Sequence, residues 1–304
     1  MLDIRLLRED ADAVKARLAT RSGNYADLID QILACDARRR ESETRVQHLR
    51  AEKNRLSKEI GGLKKSGGDS SQLESQVKGF SEEMEELGRT AAELDAEQRD
   101  LLLRVPNLPN PELPIGSDAE ANVAIKHWGE PAPMNPEDHV AIGERLGLFD
   151  LERAAKISGS GYVLFTGAGA RLERALINFL LDLQTRSHGY TEIAPPVLVR
   201  RDCMEGTGQL PKFEDDMYGF DEGAAFLTPT AEVSVTNIRR DEILSESELP
   251  LKYTACTPCF RREAGSAGRE TRGMIRMHQF DKVELVKICT RTGSGGVGIT
   301  DCRC

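Results

Sequence analysis

Aromatic side chains are scarce in this chain: nine Phe, five Tyr and one Trp in 304 residues. Long apolar runs are missing too. The best, Ala175–Leu183, is about half the length of a membrane span and is broken by Asn178 and Asp182, so no membrane association is expected. The first residues carry neither the basic nor the apolar region of a secretory signal, and a cytoplasmic location is the default expectation. Seven cysteines, an odd number at irregular spacing, argue against a disulfide framework. Cys256 and Cys259 form a CxxC, but no second CxxC or histidine pair lies at zinc-ligand spacing. Two strand residues facing opposite ways explain it better.

Charge is plentiful, at 30% of residues, and its net value of −9 conceals an uneven distribution. Between Asp36 and Lys65 the basic residues Arg38, Arg39, Arg40, Arg45, Arg50, Lys53, Arg55, Lys58, Lys64 and Lys65 outnumber the acidic ones two to one. Between Glu82 and Asp100 the excess is acidic. Phosphate binding depends on the local field, so one basic face can serve an acidic protein, and the two stretches can also attract each other.

From Leu28 to Leu63, and again from Leu73 to Leu101, seam positions recur at alternating steps of four and three. That is the heptad of paired helices. The Gly/Ser segment Lys64–Ser71 between them predicts a turn, hence an antiparallel hairpin of two helices of about 35 residues, each on the order of 50 Å long. A hairpin of that length buries only its seam; it either bridges or reaches. Taken alone it is better read as a self-contained structural or dimerising coiled coil; with the rest of the chain attached, a reaching arm is the expectation. The expected organisation is a helical arm over 1–104, a linker rich in proline and irregular segment over 105–136, a second domain over 137–287, and a dissimilar tail over 288–304. Trp128 is expected to pack.

The densest chemistry lies in Thr257–Leu285, "TPCFRREAGSAGRETRGMIRMHQFDKVEL". It predicts strand, Gly-rich loop, strand. Period-two alternation would put Arg276, Phe280 and Glu284 on one face of the second strand, and Arg261 and Glu263 on one face of the first. Guanidiniums match phosphates, an aromatic face suits a purine, and carboxylates suit an ammonium or hydroxyl. Some 30 residues earlier, Thr230 and Glu232 stand two apart, so an extended backbone would aim them the same way.

The run "FRREAGSAGRETRGMIRMHQF" resembles the second signature motif of class II aminoacyl-tRNA synthetases, specifically the bacterial-type seryl-tRNA synthetases. The resemblance extends from "MLDIRLLRED" to about Leu285 and includes "YTEIAPPVLVRRD", similar to the first class II motif, and Thr230-Ala231-Glu232, similar to the family's serine signature. It implies an α+β fold: an antiparallel helical arm that grips tRNA, then a class II antiparallel-sheet catalytic domain. It implies activation of L-serine with ATP and Mg2+ to seryl-adenylate, then transfer to serine tRNA and to selenocysteine tRNA. It implies a homodimer through the motif around Pro196.

The site residues follow from the same resemblance. Arg261 and Glu263 are the implied catalytic pair, Arg261 on the α-phosphate and Glu263 on the purine amino edge. Arg262, Arg276 and Met277 complete the ATP set with Phe280, which stacks on adenine. Thr230, Ala231, Glu232 and Glu284 hold serine, and no metal is held by side chains alone. His278 is expected to pack or hydrogen-bond rather than catalyse, since adenylate formation needs no base. After Lys287 the resemblance stops, and the letters GxGxxxxR at Gly296–Arg303 are taken as chance. The catalytic domain is therefore expected to be incomplete, and a catalytically dead fragment that binds tRNA through its arm is the alternative.

Overall fold

The computed structural model describes residues 2–21, 23–116, 118–130, 137–264 and 272–290. The Gly-rich loop from 265 to 271 and the tail from 291 onward lie outside the described residues. The chain divides into two compact units, Met1–Trp128 and Gly129–Cys304.

In the first unit, α1 (Ile4–Glu9) and α2 (Ala11–Leu18) are each opened by an aspartate. Asp3 accepts from the Arg5 amide and Asp10 from the Ala13 amide, both at 2.9 Å, supplying acceptors for otherwise orphaned helix-start amides. Two long helices follow, α3 (Ala26–Lys65, 40 residues) and α4 (Ser71–Arg104, 34 residues). Every position of the expected seam, from Leu28 to Leu63 and from Leu73 to Leu101, is buried or half-buried. The turn lies at Ser66–Ser70. Gly67 takes φ +74°, the left-handed conformation a helix stop needs, and the Gly67 and Gly68 amides return to the carbonyls of Lys64 and Leu63. Charges also meet across the hairpin, with Arg45 2.8 Å from Glu83 and Lys64 2.7 Å from Glu74. At its base, Leu7, Val14, Leu18, Ile29, Ile32, Leu102 and Val105 form the core.

Beside that core, Asp36 is buried. It accepts from Arg8 at 2.6 and 2.7 Å and from Gln98 at 2.9 Å. Burial alone would raise its carboxyl, but these bonds, with one from Arg39, hold it down to about 2. Trp128 corrects the expectation: it is 91% exposed, because the segment around it forms no helix or strand to carry it into a core.

The second unit begins with α5 (His139–Arg145), α6 (Leu151–Ser158) and α7 (Ala168–Asp182). Then come β1 (Thr191–Glu192), β2 (Leu198–Arg200), α8 (Arg201–Gly206), β3 (Gly219–Phe220) and β4 (Ala225–Leu227). Last are α9 (Ala231–Thr236) and the ten-residue strands β5 (Leu251–Phe260) and β6 (Gln279–Ile288). β5 and β6 pair antiparallel, and β1 joins β5 in parallel. A small antiparallel sheet has the order β2-β4-β3. Pro195 and Pro196 separate β1 from β2, as residues without a ladder donor do.

Helix α9 is shared between the two sheets. Ala231 and Val235, one turn apart, pack on Ala255 of β5, while Val233 turns to Phe226 and Met204 beside the small sheet. The register fixes the faces of the main ribbon: Cys259 stands opposite Phe280, Thr257 opposite Lys282 and Ala255 opposite Glu284. Cys256, opposite Val283, belongs to the other face, which accounts for the CxxC.

Candidate active site

The sequence predicts that Arg261 and Glu263 share the first strand and Arg276 the second. The ladder is shorter than that. One further bond, Arg261 N–H to His278 O at 2.9 Å, extends it past Phe260. Then other segments capture the pairing groups. The Arg262 amide donates to Asp216 O at 2.7 Å, and the His278 amide to Gly161 O at 2.9 Å. With its donors taken, the ribbon opens into a loop. Glu263 sits at φ +52°, a conformation a non-glycine residue adopts at some cost.

Five expected residues nevertheless converge. Arg261, Glu263, Arg276, Met277 and Phe280, with Met274, Ile275 and Asp281, line one cleft of 500 Å³. The Arg261 guanidinium lies 5.2 Å from the Phe280 ring centroid, and Arg276 Nη1 is 2.6 Å from Glu263 Oε2. A planar ring, two guanidiniums and a carboxylate thus share one wall. Arg262 is elsewhere: its guanidinium stacks 5.5 Å from the Tyr218 ring and is absent from the cleft wall. Burial and the Tyr162 hydroxyl, 3.0 Å away, push the Tyr218 hydroxyl up to about 12, so that ring stays neutral.

Two residues along the same face of β6 lies a second cluster. Thr230, 3% exposed, donates to Glu284 Oε2 at 2.6 Å. Lys282 Nζ is 2.6 Å from the same carboxylate oxygen and 3.1 Å from Thr230 Oγ1. The clusters are tied through the backbone, since Arg261 Nε donates to Pro229 O at 3.4 Å. Here the extended reading of Thr230–Glu232 is corrected. Thr230 is the N-cap of α9, its oxygen accepting from the Glu232 amide at 3.3 Å, so Glu232 takes a helical position and stands exposed. Ala231 is fully buried in the core.

His278 packs as expected. Its ring lies 5.2 Å from Tyr162 and its Nδ1 3.0 Å from Arg261 O. Gly161, at φ +81°, faces that imidazole so closely that an added Cβ would come within 2.5 Å of it. Sequence reasoning missed three supports. Asp216 receives the Ala264 amide at 2.8 Å, and His139 Nε2 the Met274 amide at 3.0 Å, one on each leg of the loop. The third is Lys282, whose position between Phe280 and Glu284 at strand spacing was the available signal.

Residues 1–109 match the Seryl-tRNA synthetase N-terminal domain, and residues 213–296 the tRNA synthetase class II core domain (G, H, P, S and T). The serine–tRNA ligase of Akkermansia muciniphila is 58% identical over 289 residues, spanning 95% of this chain and 68% of that protein. The chain belongs to the seryl-tRNA synthetase family. The serine–tRNA ligase of Methylacidiphilum infernorum is 50% identical, with 95% of this chain and 69% of that protein covered. Among solved structures, the seryl-tRNA synthetase from Pyrococcus horikoshii, complexed with ATP, superposes with a TM-score of 0.85 at 35% identity, covering 94% of this chain and 69% of that one. As in that family, a long helical arm precedes a class II core with antiparallel strands.

Proposed function

We propose that this seryl-tRNA synthetase chain activates L-serine with ATP and transfers the seryl group to the 3′ end of serine tRNA. The observation that carries the reading is the order of side chains along one face of β6. Phe280 and Arg261 make a plate and a cation for adenosine phosphate, and Glu284 with Thr230 makes an acceptor set for an ammonium and a hydroxyl. The serine carboxylate attacks the α-phosphorus in line, and the bond to the β-phosphate oxygen breaks to release pyrophosphate. Little acid–base help is needed; positioning and fixed positive charge are.

Arg261 is read as holding the α-phosphate, Phe280 as stacking on adenine, Glu263 as reading the purine amino edge, and Arg276 and Met277 as flanking the nucleotide. Among the described residues no cluster of three His, Cys, Asp or Glu could hold a metal ion. Magnesium is read as part of the substrate: it would arrive with the nucleotide and add positive charge to its phosphates. A site that hydrogen-bonds the serine hydroxyl penalises alanine by about 1–3 kcal/mol per polar group left unpaired.

The basic face of α3 is read as the tRNA contact, with Arg40, Arg45 and His48 lining a 710 Å³ groove along the arm. Selenocysteine tRNA is included in the reading as a second substrate. A homodimer around Pro196 is supported by the outer stripe of α7, where Leu172, Leu176, Phe179 and Leu180 are 40–62% exposed. Among the described residues no helix is long and apolar enough to cross a membrane. From its tRNA substrate we read the reaction as cytoplasmic. Serine-dependent exchange of labelled pyrophosphate into ATP tests the proposal. Exchange above that of Arg261→Ala supports it. No exchange, with serine tRNA still bound, favours the alternative of a binding fragment.

A further inference from the structure

Lys282 occupies a place that the nucleotide and amino-acid residues leave unexplained. Along β6, side chains on one face recur about every 7 Å. Phe280, Lys282 and Glu284 therefore form a row in which the lysine is central. In an adenylated amino acid the order is the same: base, then phosphate and carboxyl, then ammonium. The central position is where the carboxylate meets the α-phosphorus. Both groups are anionic, and their approach needs a cation.

The present contacts of that side chain are also informative. Its ammonium lies 2.6 Å from Glu284 Oε2 and 3.1 Å from Thr230 Oγ1, and Thr230 in turn donates to Glu284 at 2.6 Å. These are the contacts an amino-acid ammonium would make, with the same charge and the same donors. If the lysine stayed there, two ammonium groups would compete for one carboxylate. Its side chain is 37% exposed, whereas that of Glu284 is 17% exposed, so the lysine is the member free to leave.

We infer that Lys282 is a specificity-determining and catalytic residue for the carboxylate of the amino acid. It rests on Glu284 and Thr230, is displaced by the incoming ammonium, and turns back along β6 to pair with the carboxylate against the α-phosphate. The inference builds on the adenylating reading of the site. The lysine transfers no proton: the carboxylate oxygen forms the bond to phosphorus, the α–β bridging bond breaks, and pyrophosphate leaves with the electron pair. An amine without a carboxylate would lose the contact Lys282 supplies yet still have to displace it, so the residue selects amino acids over simple amino alcohols.

The test is calorimetric titration of the full chain, saturated with α,β-methylene ATP, with L-serine and with ethanolamine, which keeps the ammonium and hydroxyl but lacks the carboxylate. Lys282→Met should lose about tenfold or more in serine affinity and bind ethanolamine as well as or better than the wild type. Lys282→Arg should restore serine binding to within about threefold. Lys282→Gln serves as a second neutral variant should the Met variant fold poorly. Unchanged serine affinity in the neutral variants, or equal losses for serine and ethanolamine, would overturn the inference while leaving the adenylating reading intact. Failure of the wild type to bind the ATP analogue would overturn that reading, and the inference with it.

Discussion

Arg276 Nη1 lies 2.6 Å from Glu263 Oε2, an ion pair that closes the base of a loop whose strands end at Phe260 and resume at Gln279. The side chains are 33% and 17% exposed, so this pair is better shielded than a surface contact. The Glu263 backbone at this pair has a positive φ of 52°. Glu263→Gln and Arg276→Ala should each weaken ATP binding by about tenfold, as loss of one charge-assisted hydrogen bond does. Titration calorimetry with ATP alone measures this, and an affinity equal to wild type in both variants contradicts it.

The amine cluster should separate cleanly from the nucleotide cluster. Glu284→Gln removes the carboxylate that Thr230 and Lys282 address, and serine affinity should fall by about ten- to a hundredfold with ATP affinity unchanged. Thr230→Ala should show the same selectivity and, in addition, lose about 1 kcal/mol of stability, because its oxygen caps α9. Serine and ATP titrations, with thermal unfolding of each variant, distinguish the two effects.

Asp36 makes the base of the arm sensitive to acid. Its folded value is held near 2 against an ordinary 3.8, so it contributes stability above about pH 4 that disappears as pH falls through about 2. The shift corresponds to about 2 kcal/mol. Asp36→Asn should lower the unfolding midpoint at pH 7, leaving Arg8 without its ion-pair partner while Arg39 keeps Glu43, and the gap from wild type should narrow between about pH 4 and pH 2. A gap independent of pH would refute the assignment.

The arm should bind RNA through salt-sensitive phosphate contacts. Arg40 and Arg50 are exposed on α3, and reversing both to glutamate should weaken serine tRNA binding by about tenfold or more and reduce the dependence on salt. Gel-shift at several salt concentrations reads both. Binding that survives removal of Asp27–Arg104 would place the RNA contact elsewhere.

Much of this was legible in the letters because one-dimensional periodicity survives folding where contacts are local. The heptad seam from Leu28 to Leu63 is buried as spaced, and Phe280 shares a face with Glu284 because β6 is regular. Illegible features arise where a distant segment takes over a backbone donor. Asp216 O captures the Arg262 amide and ends the ladder, so Arg262 is drawn toward Tyr218 and away from the cleft. A side-chain cap has the same effect on Thr230, which starts a helix and thereby turns Glu232 out of the extended pattern. Pairings between segments far apart in the chain leave no periodic trace, as between His139 and Met274, 135 residues apart.

A non-hydrolysable seryl-adenylate analogue offers the decisive titration, because it must engage both clusters at once. The wild-type chain should bind it more tightly than ATP or serine, and affinity should fall at least about tenfold in Arg261→Ala and, separately, in Glu284→Gln. An analogue that does not bind, or whose binding is indifferent to either substitution, would contradict the assignment of one continuous adenylating surface along β6.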